Sequence, residues 1–227
     1  SISPNDSNKM MTGELFQVTD NELKVVSLDG HRMSIRKIIL KEHYNDIKVI
    51  VPGKTLGEIS KILNGDNESE VQIFFSSNHI MFDFDSTLVV SRLIEGEYFR
   101  ISQMLSSDYE TKVSVNRRTF LDSIERASIL IRENDKKPII ITISDEGMQL
   151  KMNSAFGTMS AEVGITKYGK DLMIGFNPKF LIDALRIIDD EEVTLYMMNP
   201  KSPCFIKDEE ENYIYLILPV NFNAAAV

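Results

Sequence analysis

An imidazole, a guanidinium and a thioether stand in a row at His31-Arg32-Met33, directly after Asp29-Gly30. Together they can hold a polar group and an apolar side chain, as a binding pocket does. Apolar-rich alternating runs flank them, Glu22 to Val26 before and Ser34 to Ile38 after. Asp-Gly between such runs is also a strong hairpin signal, because the tight turn needs positive φ and glycine supplies it cheaply. A plain hairpin tip and a pocket rim both account for the segment. Elsewhere the reactive side chains are dispersed. His31, His43 and His79 show no metal-ligand spacing. Asp83 and Asp85 alternate with Phe82 and Phe84, the pattern of a strand with one wet face. Cys204 follows Pro203 at a strand edge with no sign of activation. There is neither a glycine-rich phosphate loop nor a nucleophile elbow. No catalytic residues, no metal site and no cofactor are predicted, and a non-enzyme is expected.

The 227 residues suffice for one large domain or two of about 110 each. Hydrophobic content of 43% and charged content of 26% are ordinary for a soluble globular chain. No apolar run approaches the ~20 residues of a membrane span, and no signal peptide is visible. A single cysteine excludes an internal disulfide framework and fits a reducing compartment. The abrupt start at Ser1 suggests a processed or partial chain. A net charge of −9, taken alone, argues against a nucleic-acid partner.

Hydrophobic periodicity predicts a repeating order of elements. Met11 to Val18 and Glu22 to Ile39 read as three strands in a meander, and a polar loop over Lys41 to Asp46 leads to a short buried strand, Ile47 to Val51. Pro52 opens a helix through Leu63, stopped by Asn64-Gly65-Asp66. Strands follow at Glu70 to Phe75, Ile80 to Asp85 and Leu88 to Ile94. After a connecting stretch the pattern restarts. Lys112 to Val115 is a strand, and Asn116 caps a helix running to about Arg132. Strands follow at Ile139 to Ser144, Met148 to Asn153 and Thr158 to Ile165, with a turn at Ala155-Phe156-Gly157. A strand over Leu172 to Phe176, an Asn177-Pro178 helix start and a helix to Ile188 come next. Strands at Val193 to Met198, Pro203 to Lys207 and Tyr213 to Val220 close the chain. Strand, helix and three strands thus recur over 47–94, 112–165 and 172–220, and 11–38 matches the three-strand half of a fourth copy. The predicted fold is α+β, with two pseudo-symmetric domains of paired βαβββ halves, the first truncated at its N-terminus. The boundaries are 1–98 for the first domain, 99–110 for a linker, 111–222 for the second domain and 223–227 for a tail.

Each helix carries more cations than anions, while acidic residues crowd the loops Asp66 to Glu70, Asp189 to Glu192 and Asp208 to Glu211. If the helices share one surface, that surface is basic and suits sequence-indifferent contact with phosphate backbones. Ordinary solvated helix faces are the alternative. In the helix from 117, Phe120, Ile124, Ala127 and Ile131 form the buried stripe, whereas Ile129 points to the charged side. Single exposed apolar residues are common, but beside Leu130 it could instead be a subunit contact.

Leu28-Asp29-Gly30-His31-Arg32-Met33, Val49-Ile50-Val51-Pro52 before a lysine-bearing helix, Ile174-Gly175-Phe176-Asn177 and Tyr215-Leu216-Ile217-Leu218-Pro219-Val220 resemble the bacterial sliding clamp, the beta subunit of DNA polymerase III. The resemblance covers about Ile2 to Phe222 and corresponds to that family's second and third domains. It implies a non-catalytic, cytoplasmic processivity factor for DNA replication, without membrane association. Two three-domain subunits would close head-to-tail into a homodimeric ring around duplex DNA, helices inward and sheets outward. By position, Lys54, Lys61, Arg117, Arg118, Arg126, Lys179 and Arg186 are candidates to face DNA, and Ile129 and Leu130 match the subunit contact. The resemblance further implies a pocket where the replicative polymerase, the clamp loader and repair proteins dock a short, partly apolar peptide. That pocket would use Met11, Leu28, Gly30, His31, Arg32 and Met33, then Gln103 and Met104. Asn177, Phe180, Pro203, Leu216, Ile217, Leu218, Pro219 and Val220 would complete it. Met33→Glu is expected to abolish peptide binding without unfolding. A scaffold of the same fold that binds proteins but does not encircle DNA is the alternative function.

Overall fold

Alternating apolar and polar residues build most of the chain into antiparallel strands, and the computed structural model describes residues 1–3, 8–63, 70–129, 137–154 and 157–222. The predicted segments 64–66, 130–132, 155–156 and 223–227 lie outside the described residues, Leu130 and Arg132 among them. The chain divides into two units, Ser1–Leu105 and Ser106–Val227.

In the first unit a short 3-10 turn, Lys9–Thr12, precedes β1 (Gly13–Leu28) and β2 (Arg32–Pro52). These pair antiparallel from Gly13 opposite Pro52 to Leu28 opposite Met33. The expected loop over Lys41 to Asp46 is instead part of β2, although its residues stay exposed. The register shifts on either side of Asp20, whose φ is 54°. Gln17 and Lys24 nevertheless line one cavity, which a straight run could not allow, since seven extended residues span about 23 Å. The run therefore folds back at Asp20.

Helix α1 (Gly53–Ile62) starts one residue later than predicted, with Pro52 as its N-cap. The strands β3 (Gln72–Phe75), β4 (His79–Phe84) and β5 (Thr87–Arg92) form an antiparallel sheet. Its inward residues Ile80, Phe82 and Phe84 share a core with Phe16, Val18, Val51 and Ile59. Asp83 and Asp85 are exposed, as the alternation requires.

The second unit contains β6 (Thr111–Asn116), α2 (Arg117–Ser128), β7 (Ile139–Ser144), β8 (Gly147–Ser154) and β9 (Gly157–Val163). Then come β10 (Ile165–Gly169), β11 (Leu172–Phe176), α3 (Pro178–Arg186), β12 (Glu192–Met197), β13 (Cys204–Lys207) and β14 (Tyr213–Ile217). The predicted strand Thr158 to Ile165 ends at Val163. Beyond Gly164 the chain changes sheets, since β9 pairs with β8 while β10 pairs with β6. One sheet has the order β11-β7-β8-β9. In the other, β14, β13, β12, β6 and β10 are successive neighbours. Each repeat therefore gives its first strand to the other repeat's sheet. Neither half can satisfy its backbone alone, and the duplicated pattern folds as one body.

Both helix starts of the second unit are capped by asparagine. The Asn116 side chain accepts a hydrogen bond from Thr119 N at 3.0 Å, and Asn177 accepts one from Lys179 N at 3.0 Å. Phe120, Ile124 and Ala127 of α2 and Leu181, Ala184 and Leu185 of α3 enter a core with Phe176, Met148, Leu150 and Ile174. Both helices stop short of prediction, α2 at Ser128 with Ile129 as its C-cap and α3 at Arg186.

Candidate functional site

The hairpin tip is held by its carboxylate. Asp29 accepts hydrogen bonds from His31 N at 3.1 Å and Arg32 N at 3.2 Å. Its second oxygen pairs with Arg32 Nε at 2.9 Å, and both side chains are largely enclosed. Gly30 has a φ of 87°, and no atom lies within 4 Å of where a Cβ would sit, so the turn selects glycine for its backbone alone. The tip thereby fixes the direction of Arg32 and leaves His31 exposed. Asp29 joins the site as a residue that sequence reasoning assigned only to the turn. Its spacing to Arg32 is plain in the sequence, but the pairing of the two side chains is not.

Below the tip, Leu28 and Met33 face each other across the ladder and are 4% and 2% exposed. This corrects the expectation for Met33→Glu, because a carboxylate placed there would be buried without a partner and would damage the fold. Met11 closes the N-terminal 3-10 turn, its carbonyl accepting from Ser3 N at 2.8 Å. Gln103 ends a second 3-10 turn, Ile101–Gln103, and Met104, its C-cap, is 41% exposed. Tyr98 is buried and donates its hydroxyl to Val26 O at 3.3 Å. Burial, with the nearby Glu14 charge, pushes the Tyr98 phenol well above its ordinary range.

The second unit brings another set together. Val220 N donates to Gly175 O at 2.8 Å, drawing the segment after β14 across the end of β11. A Cβ on Gly175 would meet Phe222 Cδ1 at 2.7 Å and Val220 O at 3.0 Å, so only glycine allows this approach. Asn177 and Phe180 follow at the start of α3. Leu218, Pro219 and Val220 are at least partly exposed, and Pro203 is half-buried before β13. Leu216 and Ile217 are buried, and Ile217 belongs to the core of the unit, so it is not available to line a surface.

The basic helix residues differ in what they already hold. In α1, Lys61 pairs with Glu58 at 2.9 Å, while Lys54 is exposed at the first turn. In the second unit α2 and α3 pack side by side. Arg117 donates from Nε to Asp190 O at 2.8 Å and from Nη1 to Leu185 O at 3.1 Å, closing the last turn of α3. Arg186 forks onto Glu125 from Nε at 3.0 Å and Nη2 at 2.8 Å. Arg126 donates to Ser123 Oγ at 3.0 Å. Arg118 lies 4.0 Å from Asp122 with its side chain 86% exposed, and Lys179 lies 3.7 Å from Asp183 with its side chain 71% exposed. Such exposed pairs are weak and exchange readily for a phosphate. Ile129 is 81% exposed beside a groove of about 590 Å³ lined by Asp122, Glu125, Arg126, Ile182 and Arg186.

Among the described residues, no group of three or more His, Cys, Asp or Glu side chains could hold a metal. No described helix is long and apolar enough to cross a membrane. Burial pushes the Cys204 thiol up to about 12.

Comparison with known proteins matches these elements over nearly the whole chain. Residues 1–99 match the model of the DNA polymerase III beta subunit central domain, and residues 102–221 match that of its C-terminal domain. A beta sliding clamp from Staphylococcus aureus is 34% identical over 222 residues, covering 96% of this chain and 59% of the relative. A crystal structure from Eubacterium rectale, reported as a DNA polymerase III beta subunit, superposes with a TM-score of 0.95 at 63% identity, covering 99% of this chain and 61% of that one. The DNA polymerase sliding clamp of Bacillus subtilis gives a TM-score of 0.93 at 29% identity over 98% of this chain and 60% of its own. The chain thus spans about three fifths of the length of these relatives. With both domain models matched in order, the chain belongs to the DNA polymerase III beta subunit family, of which it carries the central and C-terminal domains.

Proposed function

We propose that the protein to which this chain belongs is a non-catalytic sliding clamp, which encircles duplex DNA and tethers the replicative polymerase for processive synthesis. The observation that carries this reading is the paired helices α2 and α3, whose most exposed cations, Arg118 and Lys179, hold only loose carboxylate partners. A sliding ring needs contacts of that kind. They must attract phosphate, yet be weak and blind to sequence, so that topology and not affinity retains the DNA. Arg126 and Arg186 add to the same field, Arg117 serves mainly to join α2 to α3, and in the first unit Lys54 and Lys61 of α1 take the DNA-facing role.

The remaining assignments belong to the same reading. Ring closure takes place head-to-tail between two full-length subunits, with Ile129 at the subunit contact. Residues 1–98 and 111–222 act as the two clamp domains, with 99–110 as linker and 223–227 as tail. Polymerase, clamp loader and repair proteins dock a short peptide, for which the first unit offers Met11, His31, Arg32, Gln103 and Met104, and the second unit offers Asn177, Phe180, Pro203 and Leu218 to Val220. Within the first unit the exposed Met104 and the Arg32 guanidinium, oriented by Asp29, support this role, and within the second unit the exposed Leu218 does.

The test is topological. Full-length protein loaded onto a nicked circular plasmid is expected to stay bound at high salt and to leave when the plasmid is linearised. Equal retention on circular and linear DNA would reject encirclement and favour a protein-binding scaffold.

A further inference from the structure

Within the first unit lies a cavity of about 650 Å³ that none of these assignments uses. Lys24 of β1, Lys48 of β2 and Arg100 of the segment after β5 line it, with Glu97 as its one carboxylate and Leu15 and Ile50 among its apolar residues. None of the three cations has an ion-pair or side-chain hydrogen-bond partner among the described residues, in a chain whose net charge is −9. A cationic cavity in an acidic protein is a local potential well for an anion.

Its position identifies the anion's carrier. Lys24, Val26 and Leu28 alternate along β1 and share one face, with Leu28 opposite Met33. Tyr98, a lining residue, donates to Val26 O, so the cavity lies next along the strand from the Leu28–Met33 pair. Four residues of strand, about 13 Å, separate Lys24 from the buried Leu28 at the foot of the tip that exposes His31 to a docked peptide. On the other side, lining residue Ser102 is followed directly by Gln103 and Met104. We infer that this cavity binds acidic side chains of the docked peptide, four to six residues from its apolar anchor. The inference rests on the peptide-docking reading above, and it adds the charge of the partner's flanking sequence. An extended peptide covers the distance with four residues, and a path around Tyr98 needs one or two more.

Three synthetic peptides test it on the full chain by fluorescence anisotropy. They share one apolar core with Leu and Phe anchors. One carries two glutamates four to six residues before the anchors, one carries them the same distance after, and one has glutamine at both places. One acidic peptide is expected to bind about tenfold tighter than the glutamine peptide at low salt, and to lose that gain at high salt. The triple variant Lys24→Gln, Lys48→Gln, Arg100→Gln should lose the gain while binding the glutamine peptide as before, with an unchanged thermal midpoint. His31→Glu should weaken all three peptides. Equal binding of the three, with His31→Glu still effective, overturns the cavity's role and leaves the docking reading intact. A gain that survives the triple variant overturns it as well. Absence of binding by every peptide, or indifference to His31→Glu, overturns both readings.

Discussion

Arg117 and Arg118 are adjacent in sequence and equally basic, yet the structure assigns them opposite duties. Arg117 makes two charge-assisted hydrogen bonds to backbone carbonyls, at 2.8 Å to Asp190 and 3.1 Å to Leu185. Leu185 O belongs to the last turn of α3, where carbonyls lack helical donors and the helix dipole favours a cation. A hydrogen bond to a charged group contributes about 1.5–3 kcal/mol net. With one of the two bonds on the exposed side, Arg117→Ala is expected to cost about 2–3 kcal/mol in total. For a chain of this size that lowers Tm by roughly 5–10 °C. Arg117→Lys should recover only part of the loss, since an ammonium cannot span both carbonyls with a planar fork. Arg118→Ala, by contrast, removes a side chain that is 86% exposed and 4.0 Å from its nearest carboxylate. Its stability should change by less than about 0.5 kcal/mol. Its effect should instead fall on DNA, reducing the slope of log K against log salt by about one. Urea unfolding and duplex-DNA binding at several salt concentrations, run on all three variants, separate the two roles. If Arg117→Ala unfolds at the wild-type midpoint, or Arg118→Ala destabilises as much, the division of labour between the helices is wrong.

Three further outcomes follow from buried groups. Glu14 is held above its ordinary carboxylate range chiefly by burial. The native state then binds more protons than the unfolded chain above pH 4.5, so wild-type stability falls as pH rises through that window. Glu14→Gln should therefore raise Tm at neutral pH and lose the advantage in acid; an unchanged or lowered Tm at pH 7 contradicts this. The Tyr215 hydroxyl is buried without a hydrogen-bond partner among the described residues, so Tyr215→Phe should be neutral or stabilising by up to about 1 kcal/mol, and a clear loss in urea unfolding would reveal a partner. Cys204 is fully buried with its thiol raised to about 12, so native protein at pH 8 should react with a disulfide reagent only as fast as it unfolds. The same shift removes stability between pH 9.0 and about 12, where the unfolded thiol ionises first.

Much of the site is legible in the residues alone. The Asp-Gly turn, the two asparagine caps, the strand-helix-strand repeat and the exposed position of Ile129 are local consequences of residue type and period, and such features depend on neighbours a few residues away. Other features depend on partners far along the chain. The pattern could not say that each repeat lends its first strand to the other, because pairing between β6 and β12 joins segments about eighty residues apart. It counted seven helix cations alike, although contacts to Leu185 and Asp190 fix Arg117 while Arg118 stays exposed. It placed Met33 and Ile217 on a surface, whereas burial from across the sheet encloses both. Nor could it bring Lys24, Lys48 and Arg100 to one cavity, since that requires β1 to fold back at Asp20 and the segment after β5 to return beside it. Local chemistry thus determined which elements form and which residue types they present. Only tertiary structure decided which of those residues are consumed in holding the fold and which remain for a partner, because that choice is made by long-range packing that no short stretch of sequence contains.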